Sequence, residues 1–427
     1  MERFKQLGIS EKNISTLIKK GFKKPTEIQE LTIPVLIGEK KDVISQAQTG
    51  TGKTAAFALP LIETLEPKSR KVQAIVLTPT RELAIQVCNE INSLKGNSPL
   101  TTIPIYGGQS INTQLSRLKR GCSIVVGTPG RILDHLRRRS LRLDHIKYFI
   151  LDEADEMLNM GFIDDIETIL KETPEKKRIL LFSATMPQRI KKLAENYMAQ
   201  YVHIKTKTKL STNLTDQRYY IVRNNQKFDL LCNIINCYEN FYGLIFCHTK
   251  IEVSDLALKL QKNGFKAEAF HGDFTQAQRE ATLSKFKKRN ISILVATDVA
   301  ARGIDIIELT HVINYSMPDN PEKYIHRIGR TGRAGKRGLA ITFVEPRERN
   351  KFEFIKKITK SPVKRGKLIT VEDYKKIKKE RITKEILTKD LGKNSKFFKE
   401  WTEELLMENS DTEIIEKLLS SLFEKSN

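Results

Sequence analysis

The chain has 427 residues, enough for two or three domains with cores of their own. No apolar run is long enough to span a bilayer, and Met1-Glu2-Arg3-Phe4-Lys5 lacks a signal-peptide core, so neither a membrane nor a secreted protein is expected. The net charge of +23 is the footprint of a polyanion binder, although a lysine-rich proteome would produce it without nucleic acid, so motifs must decide.

The five cysteines (Cys88, Cys122, Cys232, Cys237, Cys247) are scattered, odd in number and without metal-ligand spacing. They read as reduced core residues of a cytoplasmic protein. Residues 1–39 read as short amphipathic helices with a turn at Lys23-Lys24-Pro25. Within them Phe22 can stack on a base such as adenine, and Gln29 can offer its edge one donor and one acceptor. On its own that signal is weak, because a helical Gln is usually just solvated.

The stretch Ala47-Gln48-Thr49-Gly50-Thr51-Gly52-Lys53-Thr54 fits the phosphate-binding pattern G-x-x-x-x-G-K-[ST], with Ala in the first position. A short strand at Asp42–Ser45 precedes it and a helix start at Ala55–Leu59 comes after it, the context the motif requires. Small residues let backbone N–H groups turn toward phosphate oxygens, and the helix N-terminus adds partial positive charge. Lys53 would reach the β/γ-phosphates and the Thr54 hydroxyl would ligate Mg²⁺. The competing reading is a Gly/Thr-rich turn that merely connects two elements.

From Val72 to Leu181 apolar β-rich runs alternate with helical patterns, as in a parallel sheet covered on both faces. The runs Ala74–Leu77, Ser123–Val126, Tyr148–Leu151 and Arg178–Phe182 each end in a polar cluster. These clusters are Thr78–Glu82, Gly127–Arg131, Asp152–Asp155 and Ser183–Thr185. Ligand sites of open α/β sheets lie outside the carboxyl ends of strands, where all four clusters fall. Asp152 and Glu153 suit a metal-holding carboxylate and a base for the attacking water, although acids at a helix start are also commonplace.

Around Tyr201–Arg223 the alternation lapses into polar sequence, and the interdomain linker is expected there. A second series comes next: Gly243–Cys247, Lys266–Phe270, Ile291–Ala296, His311–Tyr315 and Leu339–Phe343. It lacks a second P-loop. It does carry His326-Arg327-Ile328-Gly329-Arg330-Thr331-Gly332-Arg333, whose arginines can stabilise charge on a transferred phosphoryl group. A solvated basic loop, or one touching RNA phosphates, is the alternative.

Together these residues resemble a DEAD-box RNA helicase of superfamily 2, of the bacterial cold-shock and ribosome-assembly type, over about residues 1–345. Asp152-Glu153-Ala154-Asp155 spells the family's name. The resemblance implies an α/β fold of two tandem RecA-like domains plus a small, mostly helical C-terminal extension. The implied segments are a Q-motif region 1–39, ATP-binding domain 40–206, linker 207–215, second domain 216–345 and extension 346–427. It implies an adenine-reading Q motif with Phe4, Phe22, Thr26 and Gln29, and nucleotide contacts from residues 47–54, Gly303 and Asp305. It implies RNA contacts from Pro79, Thr80, Arg81, Gly108, Thr128, Pro129, Gly130, Arg131, Thr249, Gln278, Arg279 and Thr297. Lys53, Asp152, Glu153, Arg330, Arg333 and His326 would be catalytic. Thr54 and Asp152 would hold Mg²⁺, and Ser183, Thr185 and Arg327 would couple hydrolysis to strand separation, with His326 and Arg327 bridging the domains.

The implied activity is RNA-stimulated ATP hydrolysis that locally unwinds short duplexes or remodels RNA–protein complexes in ribosome assembly, mRNA decay or cold adaptation. RNA contacts would go to phosphates and 2′-hydroxyls, with little sequence preference. A DNA translocase on the same fold, and an ATP-gated RNA clamp, are the rivals.

Residues 346–400 hold 19 Lys/Arg against 8 Asp/Glu, and residues 401–427 hold 2 against 7. The first part reads as a basic extension adding RNA affinity, or as a solvated Lys-rich face. The second has apolar residues at helical spacing and resembles a short dimerisation segment; packing back on its own chain competes. A separate RNA-binding domain, as longer relatives carry, is not expected.

Overall fold

Seven strands form the first sheet: β1 (Asp42–Gln46), β2 (Ala74–Leu77), β3 (Thr102–Ile105), β4 (Ile124–Gly127), β5 (Tyr148–Asp152), β6 (Arg178–Ser183) and β7 (Tyr201–Lys205). Their order is β3-β4-β2-β5-β6-β1-β7 and every pairing is parallel. The central strands are apolar on both sides because helices cover both faces. Val43, Val76, Ile150 and Leu180 enter one core, while Ile44, Ile75, Phe149 and Leu181 enter the other.

This computed structural model describes residues 1–47, 50–206, 214–301, 309–332, 336–359, 362–390, 392, 395–408 and 410–425. The chain divides into two units, the first built on residues 1–211 and the second on most of the remaining chain. The second sheet contains β8 (Thr215–Ile221), β9 (Gly243–Cys247), β10 (Ala267–Phe270), β11 (Ile293–Thr297), β12 (His311–Asn314), β13 (Gly338–Val344) and β14 (Val363–Arg365). Its order is β10-β11-β9-β12-β13-β8-β14, again parallel throughout. Ile245, Val295, Ile313 and Ile341 fill one face. Ala340 and Val344 meet Tyr324, Phe352 and Ile355 on the other.

The two doubly covered parallel sheets match the expected fold class. Four strands lie where the apolar pattern is weak: β3, β7, β8 and β14. Edge and next-to-edge strands are half exposed and so carry polar residues. Pro104 is tolerated in β3 because that strand pairs on one side only. Of the expected linker, residues 207–213 lie outside the described residues, and Thr215 already opens β8.

The second sheet also continues past the expected boundary at 345. The helix Arg349–Thr359 buries Phe352 and Ile355 against it, and β14 pairs with β8. Beyond come the helices Val371–Thr388, Ser395–Glu408 and Asp411–Lys425, the first capped by the Thr370 hydroxyl. No helix among the described residues is long and apolar enough to cross a membrane.

Candidate functional site

β1 ends at Gln46, and the chain turns through a loop into the helix Lys53–Thr64. Gly52 caps that helix with φ of 90°, a left-handed conformation that side chains resist. A Cβ there would also collide with the Gln29 amide, so this position suits glycine twice over. Gln29 itself is buried: its Oε1 accepts from the Thr26 N–H (3.0 Å) and its Nε2 donates to the Gly52 carbonyl (3.1 Å). The carboxamide thus tethers the helix Glu27–Gly38 to the loop that leads into Lys53, and each amide atom keeps capacity for one more bond.

Phe22 is partly buried and packs edge-on against Phe4, with centroids 6.2 Å apart. Phe4 has no exposed surface, so it supports Phe22 rather than offering a face to a ligand.

Near β1 in the sheet centre, β5 delivers Asp152 and Glu153. Lys53, Asp152 and Glu153 are each at most 8% exposed, yet Lys53 Nζ, Asp152 Oδ1 and Glu153 Oε2 have no hydrogen-bond partner. Such orphans cost free energy unless something fills the space between them. Burial pushes the Asp152 carboxyl up to about 6; Lys53 opposes the rise and Glu153 adds to it. Glu153 sits at φ of 55°, a left-handed elbow that costs an L-residue about 1–2 kcal/mol. Observed strain of this kind at a strand end is a mark of function. A basic amine, two carboxylates and a helix N-terminus suit a triphosphate with its divalent cation. Gln48 and Thr49 lie outside the described residues, while Ala47 is buried and Thr54 half-buried in the helix's first turn.

β6, beside β5, ends at Ser183, and its hydroxyl donates to the Thr185 carbonyl (2.6 Å). Thr185 donates to Asp155 Oδ2 twice, through its amide and its hydroxyl, at 2.8 Å each. The acidic elbow and Ser183-Ala184-Thr185 are therefore one hydrogen-bonded unit.

The remaining motifs occupy the other half of the same sheet edge. Thr80 caps the helix Arg81–Leu94 after β2, accepting from Leu83 N–H. Gly107-Gly108 comes after β3, and the Arg81 guanidinium lies against it so closely that a Cβ on Gly108 would push it aside. Thr128 and Pro129 open the helix Pro129–Arg137 after β4, with open space around Gly130. Arg131 donates to the Gln109 carbonyl at 3.3 Å. Because β3, β4 and β2 are neighbours, these loops lie side by side on one edge that carries Arg81 and Arg131, the latter 3.8 Å from the Asp134 carboxylate.

In the second unit, Thr249 after β9 and Thr297 at the end of the adjacent β11 accept from Glu252 N–H and Ala300 N–H. Gln278 and Arg279 lie on the helix Gln276–Lys287. The Arg279 guanidinium is buried over the Phe270 ring and donates to the His271 and Ala300 carbonyls. His326 is half-buried on the helix Pro321–Ile328, and Arg330 is buried just beyond it. Gly303, Asp305 and Arg333 lie outside the described residues.

Arg327, expected to bridge domains, is engaged within its own unit. It is 1% exposed and forks onto Asp298 at 2.5 and 2.8 Å. Its remaining donors reach the Ser316 carbonyl (2.6 Å) and Asn314 Oδ1 (3.2 Å). It therefore braces its own unit, tying the helix Pro321–Ile328 to the ends of β11 and β12.

Comparison with known proteins agrees with this geometry. The DEAD/DEAH box helicase family matches residues 26–193, and the helicase conserved C-terminal domain matches residues 226–335. An ATP-dependent RNA helicase CshA of Listeria monocytogenes is 50% identical over 361 residues, covering 84% of this chain and 69% of the relative. The chain belongs to the DEAD-box ATP-dependent RNA helicases. A DEAD-box ATP-dependent RNA helicase CshA of Geobacillus kaustophilus is 45% identical over 423 residues, covering 99% of this helicase and 90% of its own length. The solved S. cerevisiae Dbp5 bound to RNA and ADP BeF3 matches with a TM-score of 0.78 at 30% identity, covering 88% of this helicase and 98% of that chain.

Two residues of this helicase are not legible as functional from the sequence. Asp155 has no role assigned by the motif pattern, although it sits three positions beyond Asp152 in the same elbow. Asp298 carries Arg327, and only spatial proximity across 29 positions identifies it.

Proposed function

We propose that the helicase binds ATP on the P-loop and RNA along the basic edge formed after β2, β3 and β4, and that RNA-stimulated hydrolysis locally separates short duplexes. The observation that carries this is the set of three buried, unpartnered groups, Lys53 Nζ, Asp152 Oδ1 and Glu153 Oε2, at the carboxyl ends of β1 and β5.

Lys53 would hold the β/γ-phosphates, Phe22 would stack on the adenine, and Gln29 would read its edge with its remaining donor and acceptor. Thr54 and Asp152 would hold Mg²⁺, which supplies charge neutralisation across the phosphates. Glu153 would orient and deprotonate the attacking water. Arg330, Arg333 and His326 from the second unit would complete the catalytic set, so hydrolysis needs both units. The Asp155–Thr185 pair would carry the state of the hydrolytic elbow to Ser183-Ala184-Thr185.

Arg81, Arg131, Thr80, Gly108, Thr249 and Thr297 would bind phosphates and 2′-hydroxyls of a single strand, which gives little sequence preference. Arg279, buried as it is, would hold the helix carrying Gln278 against the His271 and Ala300 carbonyls. The basic Pro346–Glu400 segment would add salt-sensitive affinity. A second copy of the chain would cover the apolar positions Phe397, Trp401, Ile415 and Leu418, which are half exposed or more on the last two helices. Cytoplasmic work on ribosomal precursors, decaying mRNA or cold-stabilised RNA would fit this chemistry.

The test is displacement of a labelled strand from a short RNA duplex. Displacement with ATP and Mg²⁺, and none with Glu153→Gln, is expected. Displacement that needs no nucleotide would overturn the proposal.

A further inference from the structure

Beneath the basic edge of the first unit lies a buried polar pair that takes no part in the nucleotide site. Gln114, on the helix Ile111–Lys119, has no exposed surface, and neither has His135, on the helix Pro129–Arg137. Gln114 Nε2 donates to the Tyr106 carbonyl at 2.8 Å and approaches Gln109 Oε1 at 3.4 Å. A backbone carbonyl can only accept, so this contact fixes the amide orientation and turns Gln114 Oε1 toward the imidazole. His135 Nε2 lies 3.1 Å from that oxygen and must therefore carry a proton. His135 Nδ1 in turn meets Ser140 Oγ at 2.9 Å. Every polar atom of the pair has a partner, and the chain of bonds runs from the end of one helix to the residue preceding Gly107.

The loop it reaches carries both cations of the edge. Arg81 lies against Gly107 and Gly108, and Arg131 donates to the Gln109 carbonyl. Tyr106 and Gln109, the two residues held from below by Gln114, bracket those glycines. The glycines need this support, because Gly108 adopts φ of 82° and supplies no side chain to anchor itself.

We infer that Gln114 and His135 are positioning residues for RNA: a buried strut that fixes the Gly107–Gln109 loop and thereby sets Arg81 and Arg131 at one spacing along the strand. The inference rests on the RNA-binding reading of that edge. The pair touches neither nucleotide nor RNA. Its loss loosens the grip on RNA while the P-loop half of the sheet keeps its geometry, because none of the pair's hydrogen bonds reaches β1, β5 or β6.

The test uses the full chain and reads ATPase activity against RNA concentration, together with the affinity for a fluorescent ADP. Gln114→Met and His135→Leu should each raise the RNA concentration for half-maximal stimulation about ten-fold, the loss expected for one buried hydrogen bond. The maximal rate and the ADP affinity should stay within about two-fold, since no nucleotide contact is touched. The double variant should be no worse than either single one, since both break the same strut. His135→Gln, which can still donate to Gln114, should recover most of the loss. Should the apolar variants fail to fold, Ser140→Ala decides, with a rise of about three-fold expected from losing the outermost bond. A lower maximal rate at unchanged half-saturation would mean a merely structural role and overturn the inference. If RNA fails to stimulate the wild-type protein, the RNA-binding reading itself falls; if it stimulates the wild type and the variants alike, only the strut falls.

Discussion

Replacing Arg327 by methionine should destabilise the second unit without touching any nucleotide group of the first. Arg327 is 1% exposed, forks onto Asp298 and serves Ser316 O and Asn314 Oδ1, so its removal leaves a mostly buried carboxylate, 17% exposed, and two buried acceptors without their donor. Breaking a buried pair from one side costs roughly 3–5 kcal/mol. Against a domain stability of about 5–15 kcal/mol, that is a large share, and it corresponds to a fall in melting temperature of roughly 10 °C. The stacking of the guanidinium over Phe246, 5.0 Å from the ring centre, is lost as well. Arg327→Lys should rescue little, because a point charge cannot serve a two-pronged acceptor. Differential scanning calorimetry of the two variants measures this. A double variant with Asp298→Leu should recover part of the loss, since it removes the orphaned charge. The reasoning fails if Arg327→Met shifts the transition by less than about 2 °C.

Glu153→Gln should leave ATP and RNA binding within a few-fold of wild type while abolishing turnover; unchanged turnover would remove Glu153 from the role of base. His311 gives a pH signature. It is stacked on Phe241 and edge-on to Tyr238, and burial lowers its pKa from 6.5 to about 4. The unfolded chain therefore takes up the proton first, and stability should fall by up to about 3 kcal/mol as pH drops from 6.5 to 4. His311→Phe should flatten that part of a urea-denaturation series, and an unchanged slope would count against it. For the C-terminal helices, truncation after Thr388 should convert a dimer to a monomer in light scattering, and equal monomeric masses for both forms would refute self-association. A cut at 345 would be uninformative, because it strips β14 and the helix Arg349–Thr359 from the second sheet.

What could be read from the sequence was local. Ala47–Thr54, Asp152–Asp155 and Ser183–Thr185 announce themselves because strand, loop and helix succeed one another within a few residues. The central strands announce themselves because burial on both faces leaves continuous apolar runs. β3, β7 and β14 escaped because an edge strand shows half its surface to water, and β8 beside an edge alternates buried and exposed residues. The tie between Arg327 and Asp298 was not legible because the two are 29 positions apart, and an arginine in a basic loop looks the same whether it is buried or waiting for a ligand. The Gln114–His135 strut was invisible for a related reason. Neither residue stands in a recognisable pattern, and only the packing of their two helices brings them together.

The central claim is that nucleotide hydrolysis depends on RNA, and steady-state ATPase activity with and without single-stranded RNA tests it most directly. If RNA favours the hydrolysis-competent arrangement, the rate should rise with RNA concentration and saturate. Equal rates in the presence and absence of RNA would contradict it.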